Sequence, residues 1–539
     1  MKRSHLKTFI AALALAGLAA CGGGAGTTQI PPAPQSARMH RDSVLTRIVG
    51  VGDSLTAGYQ ADGILGKAGV PNPLFPGEPI PPTQENGWWA LLFEQASSSP
   101  LQDAIAQVYD PAKSPLPLIA GPGLDNQIVP AGPSQLSPFG QFKGADPCKY
   151  DHGFNQAGFL LRASARVRVD PNDSTILDFG VPGITAHEAV VLHQPQTSTC
   201  SPLPGIPGLL SDVVSEESGT FWPVLRNFTK LGGHLTDVNA AASVHPTLAT
   251  VWLGANDVLK YMGSGGRFVG GDRTPGQAES DVRAAITTLQ RAGAKVVVAN
   301  LPNILETGFF QRVSPPKSKR DCAIQTYAAC LMSQFGLQQF VPVLAKKYGL
   351  ATPKGCVPTS LSTPCGYLTL PAVLAVVQFY NTYGQLPDLD CPTPELKCNA
   401  KPGSGLGMNY ITPEFAGKVQ ALNNAVNQGI DDAASATRTP LVNVYQIFHG
   451  LATGNPANPY FALAASINPG VCCTLGYLYG ILSFDGVHPS DTGYALIAYE
   501  FIDTIDKAYG THIPQVDLKG VYDGSRCTTY CYPDPYAPH

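Results

Sequence analysis

The chain has 539 residues, 44% of them apolar and only 14% charged, with 56 Gly, 49 Pro and a formal net charge of −4. That apolar share excludes intrinsic disorder, and near-neutral charge without a basic run excludes electrostatic capture of nucleic acid. The length predicts two to four compact units, or one domain carrying long insertions, with an unusually large share of turn and loop.

The first element is a leader. Met1-Lys2-Arg3 and Lys7 supply positive charge, and an apolar stretch runs from Phe9 to Ala20. It is too short for a span of ~20 residues and suits the hydrophobic region of a signal peptide. It ends Leu18-Ala19-Ala20-Cys21 ahead of Gly22-Gly23-Gly24, which resembles a bacterial lipobox. That resemblance implies acylation of Cys21 as the mature N-terminus, and so an exported lipoprotein anchored on the periplasmic or cell-surface side of a membrane. The plainer alternative is a secretory cleavage site with an incidental Cys; both export the protein. Residues 22–43, rich in Gly, Pro, Thr, Gln and Ser, are expected to be a flexible linker.

Five short apolar runs follow: Arg47–Val51, Thr175–Phe179, Leu248–Leu253, Lys295–Ala299 and Leu441–Tyr445. Continuous β-branched runs of this length suit parallel strands covered on both faces. Trp88, Leu91 and Leu92 read as the buried face of a helix. A second helix begins at Ser280-Asp281, buries Val282, Ala285, Ile286 and Leu289, and stops at Gly293. Ser490 reads as the N-cap of a last helix in which Tyr494, Ile497, Ala498, Phe501 and Ile505 share one face. The alternation predicts an α/β fold, a three-layer α/β/α sandwich on a five-stranded, mostly parallel sheet. The domain is expected over 44–510, with Pro/Gly/Cys-rich insertions at about 61–85, 100–160, 186–240, 306–405 and 450–480 gathered into a cap or side lobe, and a tail at 511–539.

Of 13 Cys, setting Cys21 aside leaves an even number, as disulfides in an oxidising compartment require. Cys322/Cys330, Cys356/Cys365, Cys391/Cys398 and Cys527/Cys531 lie close in sequence, and Cys148/Cys200 are a distant pair. Adjacent Cys472 and Cys473 bridge each other only with strain. They are expected to reach two other partners, with Cys527 and Cys531 as candidates that staple the tail. A zinc site lacks the paired C-x2-C elements and nearby His it needs.

Four separated stretches carry chemistry. In Val51-Gly52-Asp53-Ser54-Leu55, Ser54 follows the first strand at the sheet edge where open α/β sheets bind ligands. Alone it reads equally as a helix N-cap. In Gly180-Val181-Pro182-Gly183, Gly183 can bring a bare backbone N–H close to a ligand atom. In Gly254-Ala255-Asn256-Asp257, Asn256 can aim a side-chain N–H at a developing oxyanion. Taken singly, both are also ordinary turn residues. In Asp485-Gly486-Val487-His488-Pro489, His488 can take the proton of Ser54 while Asp485 holds the other ring nitrogen; the plainer alternative is a turn capping a helix.

Together these stretches resemble the SGNH subgroup of the GDSL esterase/lipase family: Ser54, Gly183, Asn256 and His488 fall in that order after successive strands, with Asp485 three residues before His488. The resemblance spans about 44–508; the insertions and tail lie outside it. It implies a flavodoxin-like fold and hydrolysis of carboxylic esters by a Ser54–His488–Asp485 triad. It implies an oxyanion hole built from the N–H groups of Ser54 and Gly183 and the Asn256 side chain. Asp53 and Asp257 are expected to brace the two loops through backbone hydrogen bonds. No metal or organic cofactor is needed for this chemistry, and no protein partner is indicated. A lipid or other acyl ester is the first substrate class, an acetylated or acylated polysaccharide the second. The competing class is a non-catalytic surface lipoprotein that binds glycan or protein. The Gly-rich stretch Gly263–Gly271 lacks the Gly-Lys-Ser/Thr of a phosphate loop, and Asp388-Leu389-Asp390 lacks the rest of a calcium loop.

Overall fold

The computed structural model describes residues 43–60, 70–71, 79–80, 84–97, 115–117, 175–192, 224–225, 228–230, 233–316, 326–351, 355–391, 394–454, 480–483, 485–526 and 534. Outside the described residues lie the expected signal peptide with Cys21, nearly all of the 22–43 linker, and most of the insertions at 61–85, 100–160, 186–240 and 450–480. Cys148, Cys200, Cys322, Cys472, Cys473, Cys527 and Cys531 lie outside them too.

Strands β1 (Ile48–Gly52), β2 (Asp178–Gly180), β3 (Leu248–Trp252), β4 (Lys295–Ala299), β5 (Phe310–Arg312), β6 (Tyr367–Thr369), β7 (Tyr410–Ile411) and β8 (Leu441–Val442) fall into two sheets. The larger is five-stranded, in the order β2-β1-β3-β4-β8, with every neighbouring pair parallel. β1 and β3 are buried at every position, as strands covered on both faces must be. The register sets Gly52 beside both Gly180 and Trp252. Three strands therefore end flush, and the residues that follow them emerge along one edge.

The helices are α1 (Trp88–Ser97), α2 (Ala186–Val191), α3 (Asp237–Ser243), α4 (Ala255–Gly263), α5 (Pro275–Arg291), α6 (Ala328–Ser333), α7 (Val341–Lys347), α8 (Leu370–Tyr383), α9 (Pro413–Thr437), α10 (Val444–Thr453), α11 (Asp491–Tyr509) and α12 (Leu518–Asp523). One group joins α1 to α11 through Trp88, whose ring stacks on Phe501 at 4.1 Å between centroids. The other is centred on α5, which packs along α9 and against α2 and α3. α5 starts at Pro275 rather than Ser280. The Thr274 hydroxyl accepts the Gln277 N–H at 3.2 Å and the Gln277 side chain accepts the Thr274 N–H at 3.1 Å, a capping box ahead of a proline that suits the first turn. The last sheet strand stops at Val442 because Asn443 caps α10, its side chain accepting the Gln446 N–H.

The stretch 306–405 holds more order than its Pro/Gly/Cys content suggests. β5, β6 and β7 form an antiparallel sheet in the order β7-β6-β5. With α6, α7 and α8 they bury a second core that includes Ala328, Leu344, Leu350, Val373 and Val376. Disulfides Cys356–Cys365 and Cys391–Cys398 close short loops at its margin, and Cys330 is disulfide-bonded as well. The tail is pinned by polar contacts: Asp534 Oδ2 accepts both the Thr492 N–H (2.8 Å) and the Thr492 hydroxyl (2.5 Å), and Arg526 pairs with Glu94 at 3.2 Å. Among the described residues, no helix is long and apolar enough to cross a membrane.

Candidate active site

Beyond Gly52 the chain leaves β1 in a tight turn. The Asp53 carbonyl accepts the N–H groups of Thr56 and Ala57, each at 3.1 Å, and the Asp53 carboxylate accepts that of Leu55 at 2.9 Å. These bonds fix Ser54 above the sheet edge. Its Oγ lies 2.8 Å from His488 Nε2, and His488 Nδ1 lies 2.7 Å from Asp485 Oδ2. Residues 54 and 488, at opposite ends of the chain, thus meet in one hydrogen-bonded line.

The 485–488 turn is built to hold that line. Asp485 Oδ1 accepts the N–H groups of Val487 (2.8 Å) and His488 (2.9 Å). Gly486 adopts φ +71°, and a Cβ there would stand 2.5 Å from the Phe309 nitrogen, which donates to the Gly486 carbonyl. Only glycine fits. Burial alone raises an acid; here the His488 ring and the N–H donors of His488 and Val487 outweigh it and hold the Asp485 carboxyl below its ordinary range. The His488 ring rests against Tyr59, 4.6 Å between centroids, and Ser490 caps α11 immediately after it, accepting the Gly493 N–H.

The other flank of Ser54 carries the expected oxyanion donors. The Val181 N–H donates to the Gly52 carbonyl at 2.9 Å, drawing the loop after β2 against the end of β1. Gly183 turns there with φ +84°. Among the described residues, no acceptor meets the backbone N–H of Ser54 or of Gly183. Asn256, in the first turn of α4, is brought to the same place but differs from the expectation of a free donor. Its Nδ2 donates to the Ile184 carbonyl at 3.0 Å and to Asp53 Oδ2 at 3.2 Å, which uses both amide hydrogens. The physical reason is Asp53: its carboxylate is buried, takes the amide as a partner, and is pushed up to about 7 by that burial. Asp257 braces as expected. Its two oxygens accept the N–H groups of Ala186 (3.0 Å) and Asp272 (2.6 Å), tying α4 to α2 and to the following loop.

Beside Ser54 and His488 opens a narrow pocket lined by Leu55, Trp252, Leu259, Pro302, Ile304 and Phe448, with Thr307 as a polar exception. Pro302, Ile304 and Phe448 were not among the sequence candidates. A usable signal existed, since all three follow the carboxyl ends of β4 and β8, where a parallel sheet places its ligand loops. Asp388 and Asp390, the incomplete calcium motif, are bonded to Tyr348 and Tyr410 hydroxyls at 2.9 and 2.5 Å inside the lobe. Cys21 lies outside the described residues. No protein-family model matches the chain, and no curated protein or solved structure matches it significantly.

Proposed function

We propose that the chain is a serine hydrolase of carboxylic esters with an SGNH-type, three-layer flavodoxin-like fold, exported and tethered to a membrane through acylated Cys21. The observation that carries the reading is the unbroken line Ser54 Oγ–His488–Asp485 at 2.8 and 2.7 Å. In the reaction Ser54 attacks the ester carbonyl while His488 Nε2 takes its proton. Asp485 keeps Nδ1 protonated and steadies the imidazolium. His488 then returns the proton to the departing alcohol, and water, activated in the same way, releases the acid from Ser54. The N–H groups of Ser54 and Gly183 receive the oxyanion. Asn256 joins them when its 3.2 Å bond to Asp53 yields.

The apolar lining beside the nucleophile favours an acyl chain over a sugar ring, whose hydroxyls need polar partners. A lipid or other acyl ester is therefore the first substrate class, with an acylated polysaccharide second. The test is release of p-nitrophenol from esters of rising chain length, run beside acetylated xylan, for wild type and Ser54→Ala. The variant is expected to lose ~10⁴–10⁶ in kcat, with release favouring longer chains. Turnover of acetylated xylan alone supports the deacetylase reading. No turnover, together with no labelling of Ser54 by an organophosphonate, returns the protein to the class of non-catalytic surface lipoproteins.

A further inference from the structure

A second cluster of ionisable groups lies behind the oxyanion flank. His187 in α2, Asp281 in α5 and Asp272 in the loop before α5 each offer one ligand atom, and these atoms lie within 4.8 Å of one another. His187 Nδ1 stands 2.8 Å from Asp281 Oδ2. Asp272 is only 3% exposed, and its Oδ2, sealed from solvent, has no hydrogen-bond partner. Its carboxyl faces that of Asp281. Among the described residues, no Lys or Arg bridges either acid; the neighbouring Arg273 guanidinium instead lies over the Tyr261 ring at 5.2 Å. Two carboxylates facing each other in a buried site are costly unless a proton or a cation joins them.

We propose that His187, Asp272 and Asp281 form a binding site for a divalent transition metal of the zinc class. One imidazole nitrogen with two carboxylates suits zinc and disfavours calcium or magnesium, which take oxygen ligands. Ligand atoms of a tetrahedral zinc site stand about 3.4 Å apart, so the 2.8 Å His187–Asp281 pair has to open slightly within a cluster whose atoms all lie within 4.8 Å, and His187, 48% exposed, is the ligand that can move. That exposed side also admits water as a fourth ligand. The metal would fasten α2, α5 and the loop between α4 and α5. The backbone N–H groups of Ala186, beside His187, and of Asp272 are the two that Asp257 holds next to Asn256. The site is thus a structural clamp, and it stands whether or not the chain is an esterase.

The test is calorimetric titration of the full chain, stripped of metal by a chelator, with zinc alone and then calcium alone, with melting temperature recorded in parallel. Wild type is expected to bind one zinc per chain at this site and to melt several degrees higher when loaded. His187→Ala is expected to weaken binding at least tenfold, and Asp272→Asn to abolish it. His187 is on the surface, so its variant keeps the test open if Asp272→Asn does not fold. No saturable zinc binding, zinc binding untouched by His187→Ala, or preference for calcium overturns the proposal and leaves the two acids sharing a proton.

Discussion

His488 and Asn256 flank the same serine, and the chain treats them differently. His488 is committed: one ring nitrogen on Ser54, the other on Asp485, and its ring against Tyr59. Asn256 is committed elsewhere, both amide hydrogens being given to Asp53 and Ile184. In the proposed hydrolase, the general base is ready before substrate arrives, whereas one of three expected oxyanion donors has to be released. The backbone donors of Ser54 and Gly183 face no such competition, since nothing in the described residues accepts from them.

The contrast is sharpest at Asp485. Asp485→Asn preserves shape but puts a donor where Nδ1 needs an acceptor, so kcat is expected to fall by ~10⁴ with a normal melting curve. A loss below tenfold in steady-state assays would mean that His488 is held without Asp485. Asn256→Ala is expected to lower kcat by about 10²–10³, the usual worth of one oxyanion donor. If the loss is instead confined to melting temperature, the amide serves only as a strut between Asp53 and Ile184.

The smallest effect separates the flanks by pH. Burial holds the Asp53 acid to about 7. Below that pH the group is neutral; above it a carboxylate forms that both grips the Asn256 amide harder and repels the developing oxyanion. The kcat ratio of Asp53→Asn to wild type should therefore rise as pH passes upward through about 7. The gain is roughly fivefold, equivalent to about 1 kcal/mol of charge repulsion. Parallel profiles for the two enzymes would show that Asp53 does not reach the reaction.

Much of this was legible because short apolar runs mark buried parallel strands directly. Four of the five runs give strands ending within one residue of the expected position, and Lys295–Ala299 matches throughout. The residues meeting at Ser54 were legible for a related reason, since each directly follows a strand or precedes a capped helix. What was not legible depends on contacts between distant segments. Nothing around Asn256 says that Asp53 will claim its amide, because that bond joins positions 203 residues apart. His187, Asp272 and Asp281 show no ligand spacing along the chain and converge only after α2 and α5 pack. The α9 helix was missed although Val419, Leu422, Val426 and Ile430 share its buried face. The lobe within 306–405 was obscured by a composition that counts Gly, Pro and Cys but hides the continuous apolar stretch of α8.

The two bonds from Thr492 to Asp534 tie the first turn of α11 to a residue 42 positions further along the chain. Ser54 meets His488 across 434 positions, and the helix that opens just after His488 is itself gripped from beyond its far end by the Asp534 carboxylate. In the proposed hydrolase, a chain that stops short of residue 534 therefore lacks this anchor on the helix that follows His488, and is expected to hold the imidazole less firmly against Ser54.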